Sequence, residues 1–449
     1  MYHHQFITST LNPASTMKLA HKIELIPNQA QCEYFAKACG VSRFSYNWAL
    51  ANWNSQYLEW KEAEEEAKKN GTVNLLSKPK EYELRKKFNE IKGEQYPFVK
   101  EITKCAVQQS IKDVGVSFVR FFKKTSNYPQ FHKKGKHDSF YMDNVSFKVV
   151  GKKIHIPKLG WVKMRENLRF YGKIMSATVS RIADKWFVSI QVDVPFESLQ
   201  VAKKLCSENQ AVINEGVASY AFATNEAKVV GIDLGIKTMA TLSYADKIEP
   251  SKIDSPKPLK RLLSKLRRLQ RKLSRQGQKY TMEDYVDANG ETRKIRKYSN
   301  NYMETKTKLA RLHAKIHNIR QDFLHKLTTR LVEEFDVICI EDLNVKGMMA
   351  NRKLARAIMD LGFYEFKRQL LYKAQMWQRM VIIADRWYPS SKTCSHCGEK
   401  LKELELSDRD WKCPCCHTMH DRDANAAMNL RKLYFTGIDE VSTSATPTM

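Results

Sequence analysis

The sequence of 449 residues has no apolar run long enough to span a lipid bilayer, and its start lacks the layout of a signal peptide. These absences argue against a membrane protein and predict a cytoplasmic or a nuclear protein. Acidic residues are also scarce, since 49 Asp and Glu stand against 76 Lys and Arg and give a formal net charge of +27. Because such an excess repels itself unless a polyanion offsets it, the composition favours a nucleic-acid partner.

The ten cysteines do not form the regular framework of a disulfide-rich protein. Five are scattered, and five crowd the segment from Cys394-Ser-His-Cys397 to Cys413-Pro-Cys-Cys416, which contains two CxxC pairs. Four thiolates in such pairs bind Zn²⁺ tetrahedrally and leave no open position. The spacing predicts a structural zinc site with Cys415 as a bystander. The predicted ligands are Cys394, Cys397, Cys413 and Cys416, and the alternative ligands are His396, His417 and His420.

Acidic residues interrupt apolar segments in the second half of the chain. Asp233 lies in the apolar run 229–234, and Glu341 and Asp342 end the apolar run 337–340. A buried carboxylate is costly unless a cation or hydrogen-bond donors compensate it, and convergent carboxylates are typical ligands of Mg²⁺ or Mn²⁺. Successive side chains of a strand point to opposite faces, so only one of Glu341 and Asp342 can face Asp233. The apolar pattern does not decide which.

A third acidic position opens a helix in the segment 421–430. Asp423 shares its helix face with alanines and a leucine, whose side chains permit close packing on a sheet. Asp421 stands at the N-cap position, where its carboxylate accepts hydrogen bonds from the first free amides. We therefore predict Asp423 as the metal ligand and Asp421 as the cap.

The hydrophobic pattern predicts several domains. Residues 26–125 have helical periodicity with a break at Gly40, which is typical of either a helix-turn-helix or a plain helical hairpin. Residues 139–195 alternate as short antiparallel strands, which favours a small barrel or sandwich. Residues 197–225 are mixed and resemble a linker. The remainder alternates strands and helices, as expected of a layered α/β domain.

Three groups of residues are candidates for contact with nucleic acid. The loop 128–141 mixes aromatic and basic residues, including Lys133 and Lys134. The predicted helix 259–273 has leucines on one face and basic residues on the other, without the acidic residues that a charge-balanced surface helix carries; the basic residues include Lys265, Arg268, Arg271 and Lys272. Five residues of the first helical region are either base contacts or core residues: Tyr46, Asn47, Trp48, Trp53 and Tyr57.

Taken together, these motifs resemble the TnpB (OrfB) family of insertion-sequence proteins. The resemblance covers nearly the whole chain and is carried by Gly-Ile-Asp-Leu-Gly at 231–235, Ile-Glu-Asp-Leu at 340–343, Ser-Ser-Lys-Thr-Cys-Ser-His-Cys-Gly at 390–398 and Asp-Arg-Asp-Ala-Asn at 421–425. Members of the family are RNA-guided DNA nucleases related to type V CRISPR effectors. The resemblance implies a RuvC-like catalytic triad of Asp233, Glu341 and Asp423, together with the four-cysteine zinc site.

The resemblance also implies a multidomain α/β fold: an RNase H-like (RuvC) nuclease domain with an inserted zinc ribbon, and an N-terminal β-barrel (wedge) domain with an inserted helical recognition domain. Two features depart from the family pattern, a polar insertion at 277–301 and the doublet Cys415-Cys416. The implied boundaries are 1–16 for a disordered tail, 17–25 and 126–224 for the wedge, 26–125 for the recognition helices, 225–386 and 419–435 for the nuclease, 387–418 for the ribbon and 436–449 for a second disordered tail.

The function implied by the resemblance is RNA-guided cleavage of DNA by a metal-dependent endonuclease of a transposable element. The expected cofactors are Mg²⁺ or Mn²⁺, Zn²⁺ and a guide RNA from the transposon end. The expected substrate is double-stranded DNA, without a membrane partner, and a monomer is favoured. One alternative is a non-cleaving transposition accessory or repressor, against which the retained acids argue. Another is an RNA-independent transposase or resolvase, against which the absence of an evident dimer pattern argues.

Overall fold

The computed structural model describes residues 4–7, 16–136, 138–195, 227–244, 249–286, 292–405 and 407–444. The chain divides into an N-terminal unit, residues 16–195, and a C-terminal unit, residues 1–15 and 196–449. The first strand, β1 (Gln5–Ile7), belongs to the C-terminal unit. The predicted linker 197–225 lies outside the described residues. No helix in the described ranges is long and apolar enough to cross a membrane.

The N-terminal unit contains a seven-stranded antiparallel sheet. Its longest strands alternate fully buried with half-buried or exposed side chains, most regularly in the strand 185–195, so one face of the sheet is buried. The strands are β2 (Thr16–Ile26), β3 (Ser139–Asp143), β4 (Lys148–Val150), β5 (Lys153–Ile156), β6 (Gly160–Met164), β7 (Lys173–Ile182) and β8 (Lys185–Pro195). Their order is β3-β7-β8-β2-β6-β5-β4, so β2 joins strands that follow it by more than a hundred residues. Closure of this sheet into a barrel stays a prediction.

Helices fill the segment between β2 and β3. They are α1 (Gln29–Asn70), α2 (Glu81–Ile91) and α3 (Lys104–Phe122), with a 3₁₀ turn at Pro97–Glu101. Asn28 begins α1 with a reciprocal capping box to Gln31, and Gly71 ends it in the left-handed conformation. The predicted break at Gly40 is wrong, because α1 runs through this residue. Ala38, Cys39 and Val41 are buried beside it, and their packing offsets the intrinsic cost of a helical glycine, about 1 kcal/mol.

The aromatic residues of α1 pack inside the N-terminal unit. Tyr46 and Trp53 are buried and stack on His132 and Phe118, with ring centroids 3.7 Å and 4.6 Å apart. The Asn47 side chain donates to the backbone carbonyl of His132 at 3.0 Å and accepts from its N–H at 2.8 Å. These contacts fix the loop that follows α3, so base stacking by Tyr46 and Trp53 is a wrong interpretation. Trp48 and Tyr57 also lie beside aromatic neighbours.

The C-terminal unit contains a six-stranded mixed sheet. Besides β1, its strands are β9 (Val229–Asp233), β10 (Ala240–Tyr244), β11 (Ser251–Ile253), β14 (Val337–Ile340) and β15 (Met380–Ile383). Two hairpins lie outside this sheet: β12 (Tyr280–Val286) with β13 (Thr292–Tyr298), and β16 (Asp410–Lys412) with β17 (Met419–Asp421). The order is β1-β15-β14-β9-β10-β11, and β14 is parallel to both of its neighbours. The central strands are apolar on both faces because helices cover both sides.

The described residues of this unit form six helices: α4 (Pro258–Gly277), α5 (Asn300–Glu334), α6 (Val345–Ala350), α7 (Ala355–Leu361), α8 (Phe363–Met376) and α9 (Arg422–Ser444). Helices α5, α7 and α8 cover the sheet face that carries Ile232 and Ile340. Helix α9 covers the opposite face, where its Leu430 and Leu433 pack with Cys339. The two sheet faces therefore have separate cores, and the face under α9 also carries Asp233.

Helix α4 matches its predicted two-faced pattern. Its buried Leu266 packs with Leu312 and Ile316 of α5, while the basic face is exposed. The polar insertion at 277–301 connects these two helices and forms the hairpin β12–β13. Its tip, residues 287–291, lies outside the described residues.

Both predicted disordered tails contain regular structure. Strand β1 pairs with β15, with Gln5 opposite Ile383, and Thr16 already begins β2. At the other end, α9 continues to Ser444 instead of stopping before residue 436. Backbone hydrogen bonding to a sheet edge and helix propagation account for these differences. The remaining tail residues, 1–3, 8–15 and 445–449, lie outside the described residues.

Gly231 is the point where α9 crosses β9. A β-carbon at this residue would lie 2.0 Å from the Ala427 carbonyl oxygen and 2.5 Å from the Arg431 backbone nitrogen. Both obstacles are helix backbone, which cannot move aside as a flexible side chain does. Only glycine therefore allows α9 to lie this close to the sheet.

We predict that Gly231→Ala lowers the stability of the C-terminal unit by about 3 kcal/mol, because the added methyl group overpacks this contact. Gly40→Ala is the matched control. The nearest atom to its new β-carbon is 3.8 Å away, so alanine in mid-helix should stabilise by up to about 1 kcal/mol. Calorimetric unfolding of both variants measures the two effects. An unchanged transition in Gly231→Ala would show that α9 does not pack here as described.

Candidate active site

Strand register places Asp233 beside Glu341. Ile232 of β9 pairs in parallel with Ile340 of β14, and the next residue on each strand is acidic. Paired residues share a face and successive residues alternate, so both acids lie on the face opposite to the isoleucines. That is the face covered by α9. Register therefore selects Glu341 rather than Asp342 as the neighbour of Asp233, a choice that the apolar pattern left open.

The start of α9 contributes the third acid. The Asp421 carboxylate accepts a hydrogen bond from the Ala424 backbone N–H at 2.9 Å, which confirms its predicted capping role, and it also pairs with Lys252 at 2.8 Å. Asp423 follows two residues later in the first turn of α9, and the Arg409 guanidinium donates to both of its carboxylate oxygens at 3.2 and 3.3 Å. Three different elements thus direct carboxylates toward one region.

Electrostatics shows that these acids interact. Burial raises the pKa of Asp233 well above its usual value, and the negative charges of Glu341 and Asp423 raise it further. Burial also raises the pKa of Glu341, whose carboxylate accepts a hydrogen bond from the Ser390 hydroxyl at 2.5 Å. The positive charges of Arg422 and Arg409 act in the opposite direction and lower the pKa of Asp233 in part. The acidic centre, defined as Asp233, Glu341 and Asp423, therefore holds like charges that a cation would stabilise.

Asp342 has the opposite environment. Burial raises its pKa, but hydrogen bonds from Lys367 at 2.8 Å and Arg386 at 2.5 Å outweigh this effect and lower the pKa. Its carboxylate is thus compensated by protein cations. Neighbouring acids in the sequence have separate chemical roles because the strand directs them to different sides.

Two buried amides on α9 position the loop that supplies Ser390, and the sequence-based argument missed them. Asn429 donates to the Ser390 carbonyl at 2.8 Å. Asn425 donates to the Thr393 carbonyl at 2.7 Å and accepts from the Ser395 N–H at 2.8 Å. Both amides are almost completely buried. The sequence did contain a signal for them: two asparagines lie four residues apart on a helix face that also carries alanines. A buried amide needs hydrogen-bond partners, so this spacing could have predicted contacts with a neighbouring loop.

The four predicted zinc ligands converge beside the hairpin β16–β17. The potential ligand atoms of these four thiols all lie within 4.8 Å of one another. The sulfur atoms of Cys394 and Cys416 are 3.6 Å apart, as are those of Cys397 and Cys413. Cys415 is exposed outside the group.

The alternative histidine ligands do not belong to this four-thiol group. His420 is buried, and its Nε2 lies 3.0 Å from the Cys394 sulfur, where it can hydrogen-bond to a thiolate. Hydrogen bonds with Thr418 lower the pKa of the Cys416 thiol to about 5. A thiolate at neutral pH is the form that binds metal.

The residues predicted to contact nucleic acid are exposed, and they are distant in sequence from the three acids of the acidic centre. Lys133 and Lys134 occupy the loop between α3 and β3 of the N-terminal unit. The basic residues of α4 lie on its solvent face: Lys265, Arg268, Arg271 and Lys272. Exposure is necessary for phosphate binding but does not prove it, so their roles stay predictions.

Comparison with known families matches three parts of the chain. The profile of the OrfB family, described as a probable transposase, matches residues 221–352. A profile described as the Cas12f1-like TNB domain matches residues 363–430, which include the four-cysteine cluster. A profile described as a helix-turn-helix domain matches residues 17–62, as one of the two sequence-based interpretations expected, although α1 is continuous there.

Two curated proteins resemble this chain over most of its length. "Putative RNA-guided DNA endonuclease InsQ" of Escherichia coli K12 is 31% identical, with 92% of this chain and 91% of that protein covered. "Putative RNA-guided DNA endonuclease" of Streptomyces pristinaespiralis is also 31% identical, over 92% and 89%. A protein chain of a solved "Cas12f1-sgRNA-target DNA complex" aligns with 93% of this chain and 99% of its own length, at 13% identity and a TM-score of 0.32. The extent and identity of the curated matches show that this chain belongs to the TnpB (OrfB) family.

Proposed function

We propose that this protein is an RNA-guided DNA endonuclease of a transposable element, and that its acidic centre hydrolyses phosphodiester bonds of target DNA with divalent metal. The observation that carries the proposal is the convergence of Asp233, Glu341 and Asp423 from two parallel strands and one helix. The strand order, an antiparallel hairpin beside a parallel pair, supports an RNase H-like nuclease domain. The names of the 31% identical relatives support the same activity.

The acidic centre has the donor chemistry for Mg²⁺ or Mn²⁺. Its ligand atoms are hard carboxylate oxygens, and burial together with nearby negative charge opposes ionisation of Asp233 and Glu341, so a bound cation would relieve a charge imbalance that the protein leaves. When bound, divalent metal supplies Lewis acidity that activates water and neutralises the leaving oxygen. The fit therefore rests on charge and on the kind of ligand atom.

The chain itself positions the reacting groups. Neighbouring parallel strands fix the separation of Asp233 and Glu341, and the Ser390 hydroxyl orients the Glu341 carboxylate. Arg409, on the Asp423 carboxylate, keeps a positive charge at the rim where a DNA phosphate approaches. Rigid elements thus hold the carboxylates before substrate arrives, which is the condition for electrostatic catalysis.

The cysteine cluster fits structural zinc. Sulfur atoms about 2.3 Å from a tetrahedral ion are about 3.8 Å apart, close to the 3.6 Å separations of two cysteine pairs. Cys394 lies in the loop that also contains Ser390 and that Asn425 and Asn429 hold against α9. The proposed zinc therefore stabilises the loop that orients Glu341 without taking part in the reaction.

A guide RNA would supply sequence specificity by base pairing, while the protein recognises duplex shape and a short adjacent motif. The direct experiment is to purify the protein after co-expression with its transposon flanks and to sequence the bound RNA. A long RNA with a defined transposon end supports the proposal. Random short RNA, together with DNA cleavage by RNA-free protein, would instead favour an RNA-independent transposase or resolvase.

We predict that Asp233→Asn, Glu341→Gln and Asp423→Asn each reduce cleavage on the order of a thousandfold, equivalent to about 4 kcal/mol of transition-state stabilisation. Binding of target DNA should persist, because no phosphate contact is lost. Asp421→Asn is the control, since it removes a carboxylate that pairs with Lys252 but keeps the capping oxygen and leaves the acidic centre intact. Loss of cleavage in Asp421→Asn but not in Asp423→Asn would contradict the assignment of the third acid.

Asp233→Asn, which should abolish most cleavage, should nevertheless make the metal-free protein more stable. Because the folded-state pKa of Asp233 is raised, its ionised form destabilises the fold at every pH above its usual pKa, and this cost persists at neutral pH. Asp233→Asn should therefore raise the melting temperature of metal-free protein. Added Mg²⁺ should stabilise the wild type more than the variant. A lower melting temperature for Asp233→Asn without metal would contradict the electrostatic account.

For the cysteine cluster, we predict about one zinc per chain and structural dependence on it. Cys413→Ser should lower folded yield and melting temperature, because Cys413 is buried within the cluster. Cys415→Ser should change neither, since that thiol is exposed outside the cluster. Elemental analysis and thermal unfolding measure both effects. Active protein without zinc would refute the assignment.

The basic face of α4 should bind nucleic-acid backbone. Replacing Arg268, Arg271 and Lys272 together by alanine should weaken binding to all sequences alike and reduce the log-log salt slope by about 0.7 to 0.9 for each lost phosphate contact. Lys326→Ala with Arg330→Ala is the control on α5, where both cations pair with acidic neighbours. An unchanged slope in the triple variant would mean that this face is solvated surface.

A further inference from the structure

Asp342 is not one of the three acids of the acidic centre, but it binds two cationic side chains next to Glu341. Its two carboxylate oxygens accept from Lys367 at 2.8 Å and from Arg386 at 2.5 Å. Lysine has three donors and the guanidinium five, so each cation keeps donors for a further partner. The side chains of Lys367 and Arg386 are 31% and 49% exposed, so solvent and ligands can reach them. Asp342 thus orients two long cationic side chains.

A pocket of about 300 Å³ adjoins these cations. Its apolar floor includes Leu234 and Phe363, and Glu341 of the acidic centre forms part of its wall. Tyr364, which also lines it, is 70% exposed. The pocket lies where β9 and β14 end, and ligands of open α/β sheets bind outside the carboxyl ends of the strands. Glu341 therefore borders both the pocket and the acidic centre.

The charge of the pocket is opposite to that of the centre. Lys346, Lys367 and Arg386 line it against two acidic residues, Glu341 and Asp342, and the Asp342 carboxylate is turned toward two of these cations. Next to it lie three acids that repel phosphate unless metal is bound. An apolar floor, an exposed aromatic ring and a cationic rim match a nucleotide, which has a flat base and an anionic phosphate.

We propose that this pocket binds the nucleotide of the DNA strand that adjoins the scissile phosphate. Tyr364 stacks on its base, Lys367 and Arg386 bind its flanking phosphate, and Asp342 is a positioning residue for the two cations. This inference rests on the proposed function and names a substrate site for the same centre. Base stacking tolerates all four bases, so the pocket holds the strand without selecting a sequence.

The first test separates target binding from cleavage, using the protein–RNA complex and target DNA. We expect Tyr364→Ala to slow single-turnover cleavage of bound DNA about tenfold, as for loss of one base stack, with target affinity unchanged. Tyr364→Phe should restore the rate, because the ring remains. Arg386→Ala should slow cleavage to a similar extent, and high salt should not make the defect of this variant larger. Arg330→Ala removes an exposed cation that pairs with Glu334 and should leave the cleavage rate unchanged.

The second test does not depend on cleavage. After the cut position is mapped with wild-type complex, 2-aminopurine is placed next to it in DNA bound to the non-cleaving Asp233→Asn variant. We expect its fluorescence to be quenched, and the quenching to be lost when Tyr364→Ala is added but retained with Tyr364→Phe. Equal magnesium requirements of wild type and Tyr364→Ala should show that the metal ligands are unchanged.

The outcomes distinguish the two proposals. Wild-type complex that does not cleave DNA would overturn the proposed function. Wild-type cleavage with an equal rate in Tyr364→Ala, or quenching that persists without the ring, would overturn the pocket assignment alone. A cleavage defect accompanied by a raised magnesium requirement would assign Tyr364 to support of the acidic centre and would likewise overturn it.

Discussion

Helix α9 lies on strand β9 at a distance that only a glycine permits, and the arrangement of the C-terminal unit depends on this contact. Any β-carbon on Gly231 would overlap the helix backbone. The same close approach brings Asp423 toward the strand ends that carry Asp233 and Glu341. It also places Asn425 and Asn429 against the loop that contains Ser390. One backbone contact therefore positions the third acid, the loop and the hydrogen bond to Glu341.

The protein concentrates negative charge at one edge of an apolar sheet, and this has a cost for stability. Burial and repulsion raise the pKa of Asp233, whereas two cations compensate the adjacent Asp342. The contrast separates a carboxylate whose charge the fold compensates from one whose ionisation the fold opposes. Functional sites commonly keep such unfavourable interactions because rigid surroundings maintain them. Here the surroundings are two parallel strands and a helix that packs on both.

In the N-terminal unit, by contrast, side chains of types that often bind nucleic acid contribute to packing instead. Tyr46 and Trp53 have side chains suited to base stacking, yet both stack on residues of their own unit. Asn47 satisfies the backbone of the following loop instead of presenting a free amide. Residue type alone does not distinguish these uses, because aromatic rings gain as much from burial as from contact with a base. The loop that these contacts hold carries the exposed Lys133 and Lys134.

Local chemistry in the sequence determined the elements and the kinds of site: paired CxxC spacing gave the four-thiol cluster, the position of Asp421 gave the cap, and leucine periodicity gave α4 with its exposed basic face. These features depend on neighbours within a few residues, where backbone geometry fixes distance. Long-range packing decided the rest. The pairing of Ile232 with Ile340 selected Glu341 over Asp342, burial against the rest of its unit carried α1 through Gly40, and pairing with β15 ordered β1. Such choices depend on partners distant in sequence, and the energy of a local pattern is too small to specify them.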